Sequence, residues 1–225
     1  MATETVENYL KAIYTLCRES PTGEAGMTRL AAIVGVTTGT ATAMAKKLAK
    51  AKLARYQRFG GVSLTAKGTR AAVDIIRRHR LIETFLVQTL KLDWSIVHAE
   101  AERIEHAISP VVLEALDKLL GRPDVDPHGD PIPDSDGRLR DPRGEPLSDC
   151  GAGDSVRIAR ITDQEERFLL FAARHGLRPG AHVTVLAVDA AAESITVQAD
   201  AGPVTLALAA ARKIMAEDAA EGRRR

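Results

Sequence analysis

The chain has 225 residues, 45% of them hydrophobic, with 31 Lys+Arg, 30 Asp+Glu and two cysteines. That length supports one large or two small cores; no apolar run approaches the ~18 residues of a membrane span, so no membrane partner is expected. The two cysteines, Cys17 and Cys150, form no disulfide framework and no CxxC, so a reduced, cytoplasmic setting is expected.

The charge is unevenly placed. Residues 1–91 carry 15 Lys+Arg against 6 Asp+Glu, or +9, while residues 92–150 carry 6 against 14, or −8. A basic first part suits a polyanion and an acidic middle suits cations. Residues 4–18 place Val6, Tyr9, Leu10, Ile13, Leu16 and Cys17 at helical spacing, which predicts an amphipathic opening helix. After a Pro/Gly break, a short helix over 28–34, a turn at Gly35 and a second helix over 38–51 read as a helix-turn-helix. A small helical hairpin would give the same signal.

The second of these helices opens with Thr37, Thr38, Gly39, Thr40 and Thr42 and ends with Lys46, Lys47, Lys50 and Lys52. Small hydroxylated residues let a helix N-terminus approach phosphates and base edges, and lysines add salt-dependent phosphate contacts. Two β-prone runs, 53–58 and 62–65, flank Gly60-Gly61 as a hairpin or wing. The candidate DNA-binding residues are Thr28, Thr37, Thr38, Gly39, Thr40, Thr42, Lys46, Lys47 and Arg58, with Ala41 and Ala43 facing thymine methyls. No Arg, Gln or Asn stands at the helix start, so direct base readout is expected to be modest.

A long helix over 65–90 follows. It carries His79 and Glu83, four residues apart and therefore on one face. Asp93 is read as the N-cap of a further helix bearing His98, Glu102, Glu105 and His106 on one arc of roughly 100°, with Val97, Ala101, Ile104 and Ile108 on another. Imidazole and carboxylate are donors for first-row divalent cations, although a His/Glu face is also ordinary solvated charge. The apolar helix over 110–120 is expected to pack on Leu81, Phe85, Leu86 and Trp94, as a core or as a dimer interface. Residues 121–150, with six of the ten prolines, read as a linker or an extended loop. Period-two strands over 155–161, 182–188, 194–198 and 204–208, with a turn at Arg178, Pro179 and Gly180, read as a small β-barrel.

The order of these segments, with the stretches LTAKG, RRHRLIETFL, VHAEAERIEH and DPHGDPIP, resembles the diphtheria toxin repressor family of metal-dependent transcriptional regulators along the whole chain. The resemblance implies a mainly α fold with small β: a winged helix-turn-helix (1–70), a helical metal-binding and dimerisation domain (71–133), a linker (134–150), an SH3-like β-barrel (151–217) and a disordered tail (218–225). It implies a cytoplasmic homodimer that binds double-stranded operator DNA and represses metal-uptake genes.

Carried over by position, the resemblance puts Asn8, Glu102, Glu105 and His106 at a primary metal site, and His79, Glu83, His98 and Glu165 at an ancillary one. A further ancillary ligand position falls on Phe168, which cannot coordinate. Glu102 stands where iron-responsive members have a thiol, which favours Mn2+ over Fe2+. Asn8 is neutral where manganese-responsive members have a carboxylate, and Lys11 replaces the carboxylate of a close two-manganese arrangement. The competing readings are a metalloenzyme using a His/Glu site, though HExxH is absent, and a winged-helix regulator answering an organic ligand.

Overall fold

The computed structural model describes residues 3–58 and 60–219; most of the expected tail, from residue 220, lies outside the described residues. The chain forms two compact units. The first takes in the residues up to His79 together with Ile104–Ser109 and Pro133–Leu139; the second comprises Arg80–Arg103, Pro110–Ile132 and the chain from Arg140.

In the first unit, α1 (Glu4–Glu19) buries Tyr9, Leu10, Ile13 and Leu16 completely or nearly so, as their spacing requires. Together with Leu30 and Leu48 they form a core in which each large aliphatic side chain contributes about 2 kcal/mol of burial. α2 (Met27–Val34) ends on Gly35 at φ 71°, a left-handed C-cap whose N–H reaches the Ala31 and Ala32 carbonyls. α3 (Thr38–Lys50) starts where the Thr37 hydroxyl accepts from the Thr40 N–H.

The wing is β1 (Ala54–Tyr56) paired antiparallel with β2 (Val62–Leu64), and Ala25 bridges to Val62 as a third rung. The LTAKG stretch now has a physical reason. The Thr65 hydroxyl accepts from the Gly68 N–H at the start of α4 (Ala66–Gln88) and donates to the Lys52 carbonyl at 2.8 Å. A Cβ on Gly68 would lie 1.9 Å from the Leu53 carbonyl oxygen, so only glycine lets the helix lie this close to the wing.

The second unit holds most of α5 (Val97–Ile104), all of α6 (Pro110–Leu119), and a six-stranded antiparallel sheet. Its strands are β3 (Glu145–Pro146), β4 (Ser155–Ile161), β5 (His182–Asp189), β6 (Ser194–Ala199), β7 (Gly202–Ala207) and β8 (Ile214–Asp218), in the order β3-β8-β4-β5-β6-β7. The mainly α fold with an SH3-like β part is therefore present. In the ladder as described, β3 and β7 are edges. The core of the sheet gathers Leu147, Ile158, Ile161, Val183, Val185, Ile195, Val197 and Ile214, and Trp94 joins it. The turn through Arg178 and Gly180 is closed by the Ala181 N–H bonding the Arg178 carbonyl.

Several expectations need correction. α5 stops at Ile104, so Glu105 and His106 stand on the turn after it and not on a shared helical arc. Asp93 caps the turn before α5 by accepting from the Ser95 N–H and hydroxyl, not α5 itself. Ile104, assigned to the packing side, is exposed. α6 buries Leu113 but leaves Val111, Val112 and Leu119 at least half exposed, so it is not simply a core helix. The supposed linker is built in its first part: Asp126, His128, Asp130 and Ile132 are buried and Val125 bridges to Pro131.

Two further helices had no counterpart in the strand reading: α7 (Glu166–Arg174), and the short α8 (Leu208–Ala211) that takes over Leu208 from the expected last strand. Among the described residues no helix is long and apolar enough to cross a membrane.

Candidate metal centres and DNA-facing helix

Helix α3 turns Ala41, Ala45 and Leu48 into the core, which leaves Thr38, Gly39, Thr40, Ala43, Lys46, Lys47 and Lys50 exposed along the other side. Thr28, Thr37 and Arg58 are exposed as well, and Thr42 is half-buried. Ala41 has no exposed surface and cannot meet a thymine methyl, which corrects that assignment; Ala43 can. Thr37 has a structural task as the cap, and its hydroxyl lies 3.0 Å from that of Thr40. No acidic residue occurs in α3. Its exposed side therefore presents hydroxyls, a helix N-terminus and ammonium groups, the chemistry of phosphate contact.

In the same unit, α1 and α4 meet the turn that carries Glu105 and His106. Glu105 has no exposed surface. Its Oε2 accepts from His79 Nδ1 at 2.5 Å and its Oε1 from Lys11 Nζ at 2.7 Å. His106 donates Nδ1 to Glu7 Oε2 at 2.7 Å, which sets its Nε2 3.5 Å from Glu105 Oε1. The Arg78 guanidinium is 4.0 Å from Glu7. Asn8 lies between Glu7 and Lys11 in sequence, and its Oδ1 is buried without a hydrogen-bond partner. A buried amide oxygen left unpaired costs about 1–3 kcal/mol, and a cation is one group that would satisfy it.

The second unit holds another cluster. Glu83, Asp126 and His128 are all buried, each offering one ligand atom within 4.8 Å of the others. His128 donates Nε2 to the Trp94 carbonyl at 2.8 Å and stacks on the Trp94 ring, which turns Nδ1 toward Glu83 Oε1, 3.7 Å away. His98 Nδ1 bonds the same Glu83 oxygen at 3.0 Å, and Glu102, half-buried one turn along α5, lies 4.0 Å from His98 Nε2.

A compact turn holds these groups. Asp126 Oδ1 accepts from the N–H groups of His128 and Asp130. Gly129, at φ 89°, passes so close to the Ala159 carbonyl that a Cβ would lie 2.1 Å from it. Asp130 is held in turn by Arg160 and Gln164, both at 2.9 Å.

The electrostatics are those of crowded carboxylates. Burial, then the neighbouring Glu83 and Asp130, push Asp126 well above the usual carboxylate range, against Arg80 and His128. For His128 burial acts downward, but the Glu83 carboxylate, with Asp126 and the Trp94 carbonyl, outweighs it and raises the imidazole.

Six of the eight predicted metal ligands thus stand in these two clusters, His79, Glu105 and His106 in one unit and Glu83, His98 and Glu102 in the other, and a seventh, Asn8, lies on α1 between the two residues that reach the Glu105–His106 turn. Glu165 does not join them. It is exposed at the N-cap of α7, and the neighbouring Gln164 is the residue that reaches inward. Sequence reasoning missed Asp126 and His128 because prolines made the stretch look like a linker; Asp-Pro-His-Gly-Asp, an Asp and a Gly bracketing a His, is the turn signal that marks it. It also passed over Glu7, which shares a face of α1 with Lys11 one turn on.

A winged helix with a basic, hydroxyl-lined second helix, combined with buried imidazole and carboxylate clusters, defines a metal-responsive DNA-binding regulator. Residues 1–62 match the iron dependent repressor N-terminal DNA binding domain, residues 65–134 the iron dependent repressor metal binding and dimerisation domain, and residues 145–218 the FeoA domain. The chain belongs to the diphtheria toxin repressor family of iron-dependent repressors, whose members are transcriptional repressors and not enzymes.

A manganese-dependent transcriptional repressor solved in complex with manganese is 38% identical, with a TM-score of 0.86 over 95% of this chain and 99% of that one. The HTH-type transcriptional regulator MntR of Shouchella clausii is 34% identical over 53% of this chain and 79% of its own. The iron-dependent repressor IdeR of Mycobacterium leprae is 33% identical over 71% of this chain, which spans 66% of that protein's length.

Proposed function

We propose that this chain is a Mn2+-responsive repressor that binds operator DNA as a homodimer and controls metal-uptake genes, with Fe2+ as the alternative ion. The observation that carries this reading is the buried, unpartnered Oδ1 of Asn8 on α1, flanked by two residues, Glu7 and Lys11, that both reach the Glu105–His106 turn. The primary ligands in this reading are Asn8, Glu105 and His106, all held by the first unit; Glu102, the fourth residue that the resemblance assigns to that site, stands beside His98 in the second unit. Glu83, Asp126 and His128, with His98 as a neighbour, form a second site; Glu165 drops out.

The donor set supports manganese. It is made of carboxylate, amide oxygen and imidazole, without the thiol or thioether that would select a softer ion. Bound there, a divalent cation would supply positive charge to buried carboxylates that otherwise rely on an ammonium group and imidazole N–H donors. The related manganese-dependent repressor was solved in complex with manganese, which agrees with the choice.

The residues account for the coupling. Asn8 belongs to the first helix of the DNA-binding unit, and Glu105 and His106 to a turn far along the chain. Ligands drawn from both hold α1 in one arrangement, and in a two-fold dimer that sets the separation of the two α3 helices against successive major grooves. Preferential binding of the ion to that arrangement is what raises DNA affinity.

The test is binding of chelated protein to its own promoter DNA at fixed salt, titrated with Mn2+, anaerobic Fe2+ and Zn2+. Affinity should rise with Mn2+ at lower concentration than with Fe2+, and the rise should vanish in Glu105→Gln. Equal binding by chelated and metal-loaded protein would sink the proposal and favour a regulator that answers some other ligand.

A further inference from the structure

Lys11 is used neither by the α1 core nor by the proposed ligand set, yet its ammonium lies 2.7 Å from Oε1 of a carboxylate with no exposed surface. Burying an ionised Glu105 requires opposite charge and hydrogen bonds, and here both oxygens are already engaged, Oε1 by Lys11 and Oε2 by His79. The Lys11 side chain keeps 18% of its surface exposed, so the ammonium enters the cluster from its solvent edge while the stem lies along the protein. Lys11 and Glu7 leave α1 on the same face one turn apart, Lys11 binding Glu105 and Glu7 binding His106. Two polar pairs therefore fasten α1 to the 105–106 turn.

We propose that Lys11 is a resident cation: it neutralises Glu105 and holds α1 to the Glu105–His106 turn in the metal-free protein, and by repelling an incoming divalent ion it sets the metal concentration at which the site fills. This rests on the reading of Glu105 as a metal ligand. An ion that binds Glu105 must share or displace the ammonium, and two positive centres on one carboxylate oppose each other strongly when partly buried. The same charge disfavours a second ion beside the first. Lys11 thus exchanges maximal metal affinity for a pre-formed arrangement of α1 and a higher response threshold.

The test uses the full-length chain and Mn2+ alone. Mn2+ binding is followed by loss of the free-ion electron paramagnetic resonance signal, and metal-free thermal unfolding is measured in parallel, for wild type, Lys11→Gln, Lys11→Met and Lys11→Arg. The Gln and Met variants should bind one Mn2+ roughly ten-fold more tightly, unfold at lower temperature without metal, and gain more from added Mn2+; Arg should track wild type on each measure. Should Gln fail to fold without metal, Met, which keeps the apolar stem, carries the comparison.

Gln and Met variants that bind Mn2+ no more tightly than wild type overturn the proposal, as does an Arg variant that behaves like Gln. Glu105→Gln separates the two readings. If it loses an ion while Lys11→Gln changes nothing, only the resident-cation idea falls; if it binds Mn2+ as wild type does, both fall.

Discussion

His106 and Glu7, ninety-nine residues apart in sequence, are joined at 2.7 Å from Nδ1 to Oε2. A carboxylate on one ring nitrogen fixes the tautomer and orientation of an imidazole and makes its other nitrogen a better ligand. Glu7→Gln should retain the fold yet lower Mn2+ affinity about ten-fold, the lower end of the cost usual for removing such a partner. Glu7→Ala should cost more. Calorimetric Mn2+ titration checks both, and unchanged affinity in the two variants would show that Glu7 serves only to pack α1.

The exposed side of α3 makes a separable claim about DNA. Lys46 and Lys47 stand exposed beyond the N-terminal turns of α3 and are assigned to phosphate contact, so Lys46→Ala and Lys47→Ala should weaken operator and non-operator DNA alike. Each should reduce the slope of log affinity against log salt by about 1. Thr37→Ala acts differently: it removes the hydroxyl that caps α3, costing about 1 kcal/mol of stability. Fluorescence anisotropy over a salt series distinguishes the cases, and a lysine variant that alters operator preference without changing the slope contradicts the assignment.

How much of this was legible in the sequence depends on whether the signal was local. Apolar spacing in α1, the hydroxyl-rich start of α3 and the Gly60-Gly61 turn are local, and they read correctly. The end of α5 is not: Glu105 continues the helical pattern, but its carboxylate bonds Lys11 and His79, partners from elsewhere in the chain, and the backbone leaves the helix at Ile104. The Asp126–Asp130 turn was hidden for the opposite reason, since its prolines suggest a linker while its buried charges draw on Arg80, Arg160 and Gln164, partners outside the turn. Ala41 shows the limit of residue type alone, because the phase of α3 and not its composition decides that this methyl faces inward.

The Asp93 carboxylate links stability to pH. Its bonds to the Ser95 hydroxyl and N–H, and then the charge of Arg178, hold it below the usual carboxylate range. A group with a depressed folded-state pKa contributes stability that is present above its unfolded value and lost as pH falls through its folded value. Asp93→Ala should therefore be less stable than wild type at neutral pH, by about 0.5 kcal/mol once solvent screening of this exposed carboxylate is allowed for, and the gap should close in acid. Urea unfolding across the acid range tests this; a gap that is constant with pH would assign the cost to helix geometry and not to the charge.

Helix α6 concentrates the apolar surface that the single chain leaves open, with Val111 at 79% and Leu119 at 65% exposure inside the segment matched to a dimerisation domain. Exposed aliphatic side chains of this size gain about 2 kcal/mol each when covered, and a carboxylate in their place must be desolvated without a partner. Val111→Asp and Leu119→Asp should shift the chain from dimer toward monomer in sedimentation equilibrium while leaving the metal-free unfolding midpoint of the monomer nearly unchanged, because neither side chain is buried within it. Operator binding should fall with the dimer, since two linked α3 helices bind DNA far more tightly than one. A dimer that persists in both variants would place the interface on some other surface and remove α6 from the account of how the two DNA-binding units are spaced.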